Sequence, residues 1–180
     1  MAASTIIETA RLRIEPFTER HLSERYVNWL NDPLVVRYSE QRFQIHTLES
    51  CRAYWQSFTD TPHYFWAVIA KDDTLGHIGN LNAYVDPRHG VADLGILIGE
   101  RQAWGRGYGL EAWRAICGHL FGSGGIRKIS AGCLSVNLPM ARIMKQAGMV
   151  PDGVRASHSL FEGKPVDIVH VALFVEHWQP

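Results

Sequence analysis

Apolar and polar residues alternate along several short stretches of the chain, and this period of two is typical of β-strands with one buried face. In residues 77–85, for example, Ile78, Asn80, Asn82 and Tyr84 would share one face of a strand. Glycine, proline, asparagine and aspartate separate the alternating stretches and predict turns. The pattern predicts seven strands, at residues 9–17, 64–71, 77–85, 91–98, 128–135, 157–161 and 166–175.

In other stretches, apolar residues recur every three or four positions, which is the period of an amphipathic helix. Thr18 and Thr47 are expected to cap the first two helices, and Pro139 lies in the first turn of the last one. The pattern predicts helices at residues 18–30, 47–58, 110–121 and 139–147, with a short helical piece at 34–38. The predicted order is therefore β-α-α-β-β-β-α-β-α-β-β.

Composition and charge narrow the class of protein. A chain of 180 residues with 46% hydrophobic and 20% charged residues is most simply one globular domain, residues 1–180. Lys plus Arg and Asp plus Glu number 18 each, so no overall charge favours nucleic acid or an anionic membrane as a partner. The N-terminus lacks a signal-peptide pattern, and no apolar run has the length of a membrane span. We therefore expect a cytoplasmic protein.

The three cysteines, Cys51, Cys117 and Cys133, form an odd set without the spacing of a disulfide framework. This pattern predicts buried free thiols in a reducing compartment. No group of cysteines and histidines has the spacing of zinc ligands, so no metal site is expected.

The most informative segment is the glycine-rich stretch 102–109, Gln-Ala-Trp-Gly-Arg-Gly-Tyr-Gly, between a predicted strand and a predicted helix. The N–H groups in the first turn of a helix have no internal partner, and glycines allow a phosphate to approach them. The segment predicts a pyrophosphate cradle, although a glycine-rich turn without a ligand would show the same bare pattern. A Walker A motif is absent, and the dinucleotide spacing Gly-x-Gly-x-x-Gly does not fit. Gln102-x-x-Gly105-x-Gly107 does match the acyl-CoA loop pattern Gln/Arg-x-x-Gly-x-Gly/Ala.

At this loop the sequence resembles the GNAT superfamily of acetyl-CoA-dependent N-acetyltransferases, and the resemblance extends over essentially the whole chain. The loop, the segment 137–148 and the C-terminal segment 167–178 are similar to RimJ/RimL-type ribosomal-protein N-acetyltransferases. The short segments 29–33 and 77–80 look like enzymes that acetylate nucleotide-linked amino sugars. The resemblance implies an α+β fold, an α/β/α sandwich. It would have about four helices and a mixed, mostly antiparallel sheet of about seven strands, splayed between strands 4 and 5.

The resemblance also implies which residues hold acetyl-CoA, the expected co-substrate. Main-chain N–H groups of the loop would bind the pyrophosphate, and the pantetheine arm would pair with the strand that precedes the loop. A backbone N–H near Leu97 or Ile98 would face the thioester carbonyl. Asn137 would contact the cofactor arm, although a helix cap explains it as well. The expected cofactor-binding residues are Ile96, Leu97, Ile98, Gln102, Trp104, Gly105, Arg106, Gly107, Tyr108, Gly109 and Asn137.

Acetyl transfer needs a neutral amine, so a general base or a water relay is expected. Asp93 stands where many relatives carry a relaying glutamate, although a strand-edge carboxylate in a salt bridge fits the pattern equally well. Met140 and Met144 stand where relatives carry a serine and a tyrosine, and neither can donate a proton. The expected catalytic residues are therefore Asp93 and, through its backbone, Leu97.

The acceptor is expected to be the primary amine of a small molecule, best an amino sugar, free or nucleotide-linked, or else a protein N-terminus. Residues suited to contact it are Trp29, Asn31, Tyr38, Asn82, Tyr84 and His158, each of which also fits a packing role. A non-catalytic acyl-CoA-binding domain and a small nucleotide-binding protein unrelated to CoA remain open as alternatives. We expect a monomer or a homodimer without nucleic-acid or membrane partners.

Overall fold

The computed structural model describes residues 5–123 and 125–179, so the first four residues, on which the signal-peptide prediction mainly depends, lie outside the described part. Eight described strands form one sheet in the order β1-β2-β3-β4-β5-β6-β8-β7. The strands are Ile7–Glu8 (β1), Leu12–Pro16 (β2), Tyr64–Ala70 (β3), His77–Asp86 (β4), Val91–Ile98 (β5), Lys128–Leu134 (β6), Val150–Phe161 (β7) and Lys164–Phe174 (β8).

Four α-helices accompany the sheet in the described residues: Glu24–Asn31 (α1), Leu48–Gln56 (α2), Tyr108–Gly122 (α3) and Leu138–Gln146 (α4). The side chain of Ser23 accepts a hydrogen bond from the Tyr26 N–H, so α1 begins after Ser23 and not after Thr18. Thr47 caps α2 as predicted, and its hydroxyl accepts a hydrogen bond from the Ser50 N–H.

The sheet is antiparallel except between β5 and β6, which run parallel. Only three residue pairs join these two strands, and the last of them is Asp93 with Ser130. Beyond this pair the strands separate, so within the described part of the chain 94–98 of β5 has no strand beside it on that side. The α+β fold and the splay between the two strands are confirmed.

Two hydrophobic clusters lie on opposite faces of the sheet. The larger one packs α3 and α4 against the sheet, with Trp113 and Ile116 of α3 fully buried. The smaller one packs α1 and α2 against the other face, and includes Tyr26, Cys51 and Phe65. Ile96 contacts the larger cluster and Leu97 the smaller one, as expected for consecutive residues of a strand. Residues of β5 therefore reach both layers.

Several local predictions differ from the structure. The short strand β1 brings the number of strands to eight, and β7 begins at Val150, seven residues before the predicted start. Residues 34–38 form turns instead of a helical piece. A register irregularity between Val68 and Ile69 of β3 places Ile78 in the larger cluster, opposite to the face predicted from simple alternation.

The three cysteines are buried and free, as predicted. No group of potential metal ligands occurs among the described residues. None of the described helices combines the length and apolar character that a membrane crossing requires.

Candidate active site

The glycine-rich loop connects β5 to α3 as predicted, and two glycines give it its shape. Gly105 and Gly107 have φ values of 72° and 82°, in the left-handed region that favours glycine. Gly107 is the N-cap of α3, which begins at Tyr108. Gly109 serves packing, because a Cβ there would lie 3.0 Å from Cδ1 of Ile143 in α4.

The loop and the first turn of α3 present a row of free backbone donors. The first hydrogen bond of the helix runs from the Glu111 N–H to the Gly107 carbonyl. The preceding N–H groups, from Gly105 to Leu110, have no acceptor among the residues that the structure describes. Such a row, at the positive end of a helix dipole, fits the diphosphate of coenzyme A.

Arg11 holds this loop in place, a role that the sequence did not indicate because the residue reads as an ordinary surface charge. Its Nη1 donates to the Arg106 carbonyl at 2.8 Å, and its Nε donates to Glu111 at 2.7 Å. Glu111 also accepts from the Thr9 hydroxyl at 2.6 Å. Partial burial acts to raise the pKa of Glu111, but the hydrogen bonds from Thr9 and Arg11 outweigh it, so the pKa is lowered and the carboxylate stays charged.

The other predicted loop residues lie around the row of donors. Arg106 forms an ion pair with Asp72 at 3.3 Å. The indole of Trp104 donates to the Ile98 carbonyl at 2.7 Å, so this carbonyl is already engaged. Gln102 lies in a short 3₁₀ helix, and its backbone N–H donates to Glu100 at 3.2 Å. Their contacts with acetyl-CoA stay predictions.

The free edge of β5 lies next to the loop. Alternate backbone groups of a strand point to opposite sides, so part of those in 94–98 point away from β4 into the gap beside β6. At the end of β5, the N–H groups of Gly99 and Glu100 both donate to the Ile78 carbonyl at 3.0 Å. This irregular pairing directs the chain from Ile96, Leu97 and Ile98 into the loop. The geometry fits an extended cofactor arm in the gap.

Asn137 lies at the start of α4, where its side-chain oxygen accepts a hydrogen bond from the Met140 N–H at 3.2 Å. Its side-chain amide nitrogen donates to no described residue, so the predicted cofactor contact is compatible with the cap. Met144 is buried in the core, and Met140 packs partly against it. Neither methionine offers a proton donor at the site.

Asp93 lies where β5 and β6 separate, on the face that carries α1 and α2. The Ser130 hydroxyl donates to its carboxylate at 2.9 Å. Asp93 keeps part of its surface in solvent, but desolvation of the carboxyl group raises its pKa, while the Ser130 hydrogen bond and nearby His170 act in the opposite direction. A carboxylate with a raised pKa is a better proton acceptor than an ordinary aspartate.

A cavity of about 300 Å³ opens beside Leu97, between the sheet and the helices α1 and α2. Its aromatic residues are Tyr26, Tyr54 and Phe65. Burial raises the pKa of both tyrosines above the ordinary range, so they remain neutral phenols. The complete lining is Tyr26, Leu30, Ser39, Gln41, His46, Ser50, Cys51, Tyr54, Phe65, Asn80, Asn82, Gly95, Ile96 and Leu97.

Of the six predicted acceptor residues, Asn82 lines this cavity. Its side chain lies over Gly95, where a Cβ would be 2.7 Å from Asn82 Oδ1. Tyr84 lies two residues after Asn82 in β4, and its hydroxyl oxygen is 3.1 Å from that of Tyr54. Asn31 supports the cavity from behind, because its side chain exchanges hydrogen bonds with the backbone of His46 at 2.8 and 2.9 Å.

The remaining three predicted acceptor residues lie outside the cavity lining. Trp29 is buried against Gly99 and contacts the His77 ring at a centroid distance of 5.0 Å. Tyr38 stacks on Phe161 of the β7–β8 hairpin at 5.4 Å, so it joins the loop after α1 to the hairpin. His158 lies on the exposed strand β7. The contacts of Trp29 and Tyr38 are packing contacts, and roles of all three residues toward an acceptor stay predictions.

Several cavity residues were not singled out from the sequence, among them Ser39, Gln41, His46, Ser50 and Asn80. Three of them, Ser39, Gln41 and His46, lie between α1 and α2, where the sequence shows no helical or strand periodicity of apolar residues. Asn80 was assigned to the correct strand, but its burial depends on the packing of α1 and α2 over β4. Only the assembled fold brings these polar side chains together.

The chain matches a family model described as acetyltransferase (GNAT) domain over residues 11–150. Because the match covers well over half of the chain, the protein belongs to this family. It is an acetyl-CoA-dependent N-acetyltransferase, which removes the alternative of a nucleotide-binding protein unrelated to CoA.

Solved structures of similar fold cover nearly the whole chain. An acetyltransferase of the GNAT family from Bacillus anthracis is 20% identical, with a TM-score of 0.81 over 96% of this chain and 100% of that chain. A spermidine N-acetyltransferase from Vibrio cholerae, in complex with CoA and spermine, is 14% identical, with a TM-score of 0.81 over 93% and 98%. An enzyme from Salmonella typhimurium that modifies the N-terminal serine of a ribosomal protein is 15% identical, with a TM-score of 0.79 over 94% and 99%.

At these identities the likeness shows the fold alone. Comparison with curated proteins gave no match. The identity of the acceptor must therefore be argued from the cavity.

Proposed function

We propose that the protein acetylates the primary amine of a small hydroxylated acceptor, with an amino sugar, free or nucleotide-linked, as the best candidate. The observation that carries this proposal is the chemistry of the cavity beside Leu97. In the described part of the chain its lining contains hydroxyl, amide, imidazole and aromatic groups, but no carboxylate, ammonium or guanidinium group. Neutral polar groups of this kind suit the hydroxyls of a sugar.

The same lining argues against a polyamine as the acceptor. A chain with several positive charges would lose its hydration in the cavity without a carboxylate to compensate, which is energetically costly. The aromatic faces of Tyr26, Tyr54 and Phe65 instead offer apolar surface to the C–H groups of a sugar ring. A volume of about 300 Å³ lies at the lower end of the range for small-molecule sites and fits a single sugar ring.

The proposed mechanism places the acceptor amine between this cavity and the gap beside β5. Acetyl-CoA, when bound, supplies the acetyl group as a thioester. A backbone N–H of Leu97 or Ile98 is proposed to polarise the carbonyl that the amine attacks, and one well-aimed donor of this kind contributes on the order of 3 kcal/mol. Asp93 does not line the cavity, so we assign it to removal of the amine proton through water. As the C–N bond forms, the C–S bond of the thioester breaks and coenzyme A leaves as a thiolate.

The test is thiol release from acetyl-CoA with a panel of amines at equal concentrations. The panel contains nucleotide-linked amino sugars, free amino sugars, spermidine, and peptides with the N-terminal sequences of ribosomal proteins. We expect the highest kcat/KM for an amino sugar and little turnover of spermidine. Preference for a peptide would assign the protein to N-terminal acetylation, and preference for spermidine would contradict the argument from the uncharged cavity.

A further inference from the structure

One buried amide group of the cavity has a free donor. Asn80 is only 4% exposed, and its Nδ2 has no acceptor among the described residues. An unsatisfied buried donor destabilises a fold, so a native structure rarely keeps one without a use. The Nε2 of His46, in the lining of the same cavity, is also buried without a described partner. Five such atoms occur among the described residues, and two of them belong to residues that line this one cavity, where a polar ligand would satisfy them.

The orientation of the Asn80 amide follows from its contact with His77. The Nε2 of His77 lies 3.0 Å from the Gly79 carbonyl and 3.0 Å from Asn80 Oδ1. A carbonyl can only accept, so Nε2 must carry the proton and donate. If the Asn80 amide were rotated by 180°, its Nδ2 would face the Nε2 of His77, and two N–H donors would oppose each other. The Oδ1 therefore faces His77, and the Nδ2 faces away from it.

The protonation state of His77 supports the same arrangement. Burial lowers the pKa of His77 to about 4, and electrostatic repulsion from His21 and Arg25 acts in the same direction, while hydrogen bonds to Asn80 and Gly79 act against it. His77 is therefore neutral at physiological pH. Its ring also packs against the rings of Trp29 at 5.0 Å and His21 at 5.4 Å, and these contacts favour a single ring orientation.

The position of Asn80 identifies the part of the substrate that it can reach. Asn80 pairs with Leu97 across β4 and β5, and both residues line the cavity. The gap for the cofactor arm lies on the opposite side of β5, next to β6. The Asn80 amide is thus placed toward the acceptor in the cavity and not toward the thioester oxygen in the gap.

We infer that Asn80 is a specificity-determining residue, which donates a hydrogen bond from Nδ2 to a hydroxyl or ether oxygen of the acceptor close to its amine. His77 is the positioning residue that fixes the amide. This inference rests on the proposed function and narrows its acceptor class to amines that carry such an oxygen.

The test uses two ring amines that differ by one hydroxyl, trans-2-aminocyclohexanol and cyclohexylamine. Wild-type protein is expected to acetylate the hydroxylated amine with a kcat/KM at least tenfold higher. The near-isosteric variant Asn80→Leu should lose this preference, mainly through a higher KM for the hydroxylated amine. The affinity for acetyl-CoA should not change, which reports that the variant is folded. Asn28→Leu, at an exposed position on α1, is the control and should keep the preference.

The role of His77 has its own pair of variants. Gln at position 77 can still donate to Asn80 Oδ1, whereas Leu cannot. His77→Gln is therefore expected to retain most of the preference for the hydroxyl, and His77→Leu to lose it. If both variants showed the same preference for the hydroxylated amine, the positioning role of His77 would be overturned.

Two results overturn the inference itself: an unchanged preference in Asn80→Leu, or no preference for the hydroxylated amine in the wild-type protein. Either result leaves the proposed function standing if the panel of amines shows turnover of amino sugars. A panel without such turnover overturns the proposed function, and the inference with it.

Discussion

At the scale of single residues, the site depends on a few positions where only one residue type fits. Gly105 and Gly107 hold left-handed backbone conformations in the loop. Gly95 leaves room for the Asn82 side chain, and Gly99 for the ring of Trp29. The sequence indicated the loop glycines because their spacing forms a motif. Gly95 and Gly99 became interpretable only once the packing of α1 over the sheet was known.

Gly105→Ala tests the loop at this scale. A Cβ at φ 72° costs about 1–2 kcal/mol, although nothing lies within 4 Å of it. If the loop relaxes to avoid this strain, the free N–H groups move, and acetyl-CoA affinity in calorimetry should fall about 5- to 30-fold. Gly163→Ala, at φ 77° in the β7–β8 turn, carries the same strain away from the loop. Gly163→Ala should lower thermal stability to a similar extent but leave the affinity for acetyl-CoA unchanged. An equal loss of affinity for acetyl-CoA in both variants would contradict the role of the loop.

Asp93→Asn tests the proposed base. Removal of a general base typically lowers kcat by about 10²–10⁴, and the acidic limb that Asp93 contributes to the pH profile of kcat/KM should disappear. Ser130→Ala removes the hydrogen bond to the carboxylate but keeps the base, so it should shift this limb to higher pH without abolishing turnover. If Asp93→Asn retains the wild-type profile, the proton leaves through another group.

At the scale of elements, the decisive feature is the early separation of β5 and β6. Alternation predicted both strands, and the family resemblance predicted the splay. The row of free N–H groups at the start of α3 follows from the helix position alone. Between α1 and α2, in contrast, residues 34–38 were predicted as a helical piece and form turns, and a short 3₁₀ helix follows at Glu40–Phe43, because tertiary contacts such as Asn31 with His46 determine the path of the chain. Three of the fourteen residues that line the cavity, Ser39, Gln41 and His46, come from this segment and were therefore beyond sequence-based prediction.

Arg11→Ala tests how the elements are joined, since Arg11 links the region between β1 and β2 to the loop and to α3. We expect a several-fold higher KM for acetyl-CoA with a small effect on kcat, because the loop loses its anchor but keeps its donors. Arg52→Ala removes an exposed ion pair with Glu19, which contributes at most about 1 kcal/mol. It serves as the control, with an unchanged KM. An equal KM in both variants would mean that the loop holds its shape without Arg11.

At the scale of the whole molecule, the two layers of helices pack on opposite faces of one sheet, and each layer forms a different part of the proposed site. The α3 side builds the cofactor loop on the larger core, and the α1–α2 side builds the acceptor cavity on the smaller one. Leu97 and Asp93 face the cavity side from the strand that both layers share. We therefore expect transfer between the two ligands to take place across β5.

The stability of the molecule should fall at acidic pH. Burial lowers the pKa of His21 and His77, and that of His77 lies at about 4 against an ordinary value of 6.5. The unfolded chain thus binds protons below pH 6.5 that the folded chain does not, so stability is lost from pH 6.5 toward pH 4. The slope is at most about 1.4 kcal/mol per pH unit for each histidine. Urea unfolding should show a shallower slope in His77→Gln, and an unchanged one in His89→Gln at an exposed position.

The most direct test of the account is a crystal structure of the protein with acetyl-CoA. It should show the diphosphate on the N–H groups between Gly105 and Leu110, and the pantetheine arm in the gap between β6 and residues 94–98. The acetyl group should lie within reach of the cavity that Asn80 and Leu97 line. A diphosphate bound elsewhere, or a cofactor arm outside the gap, would contradict the account.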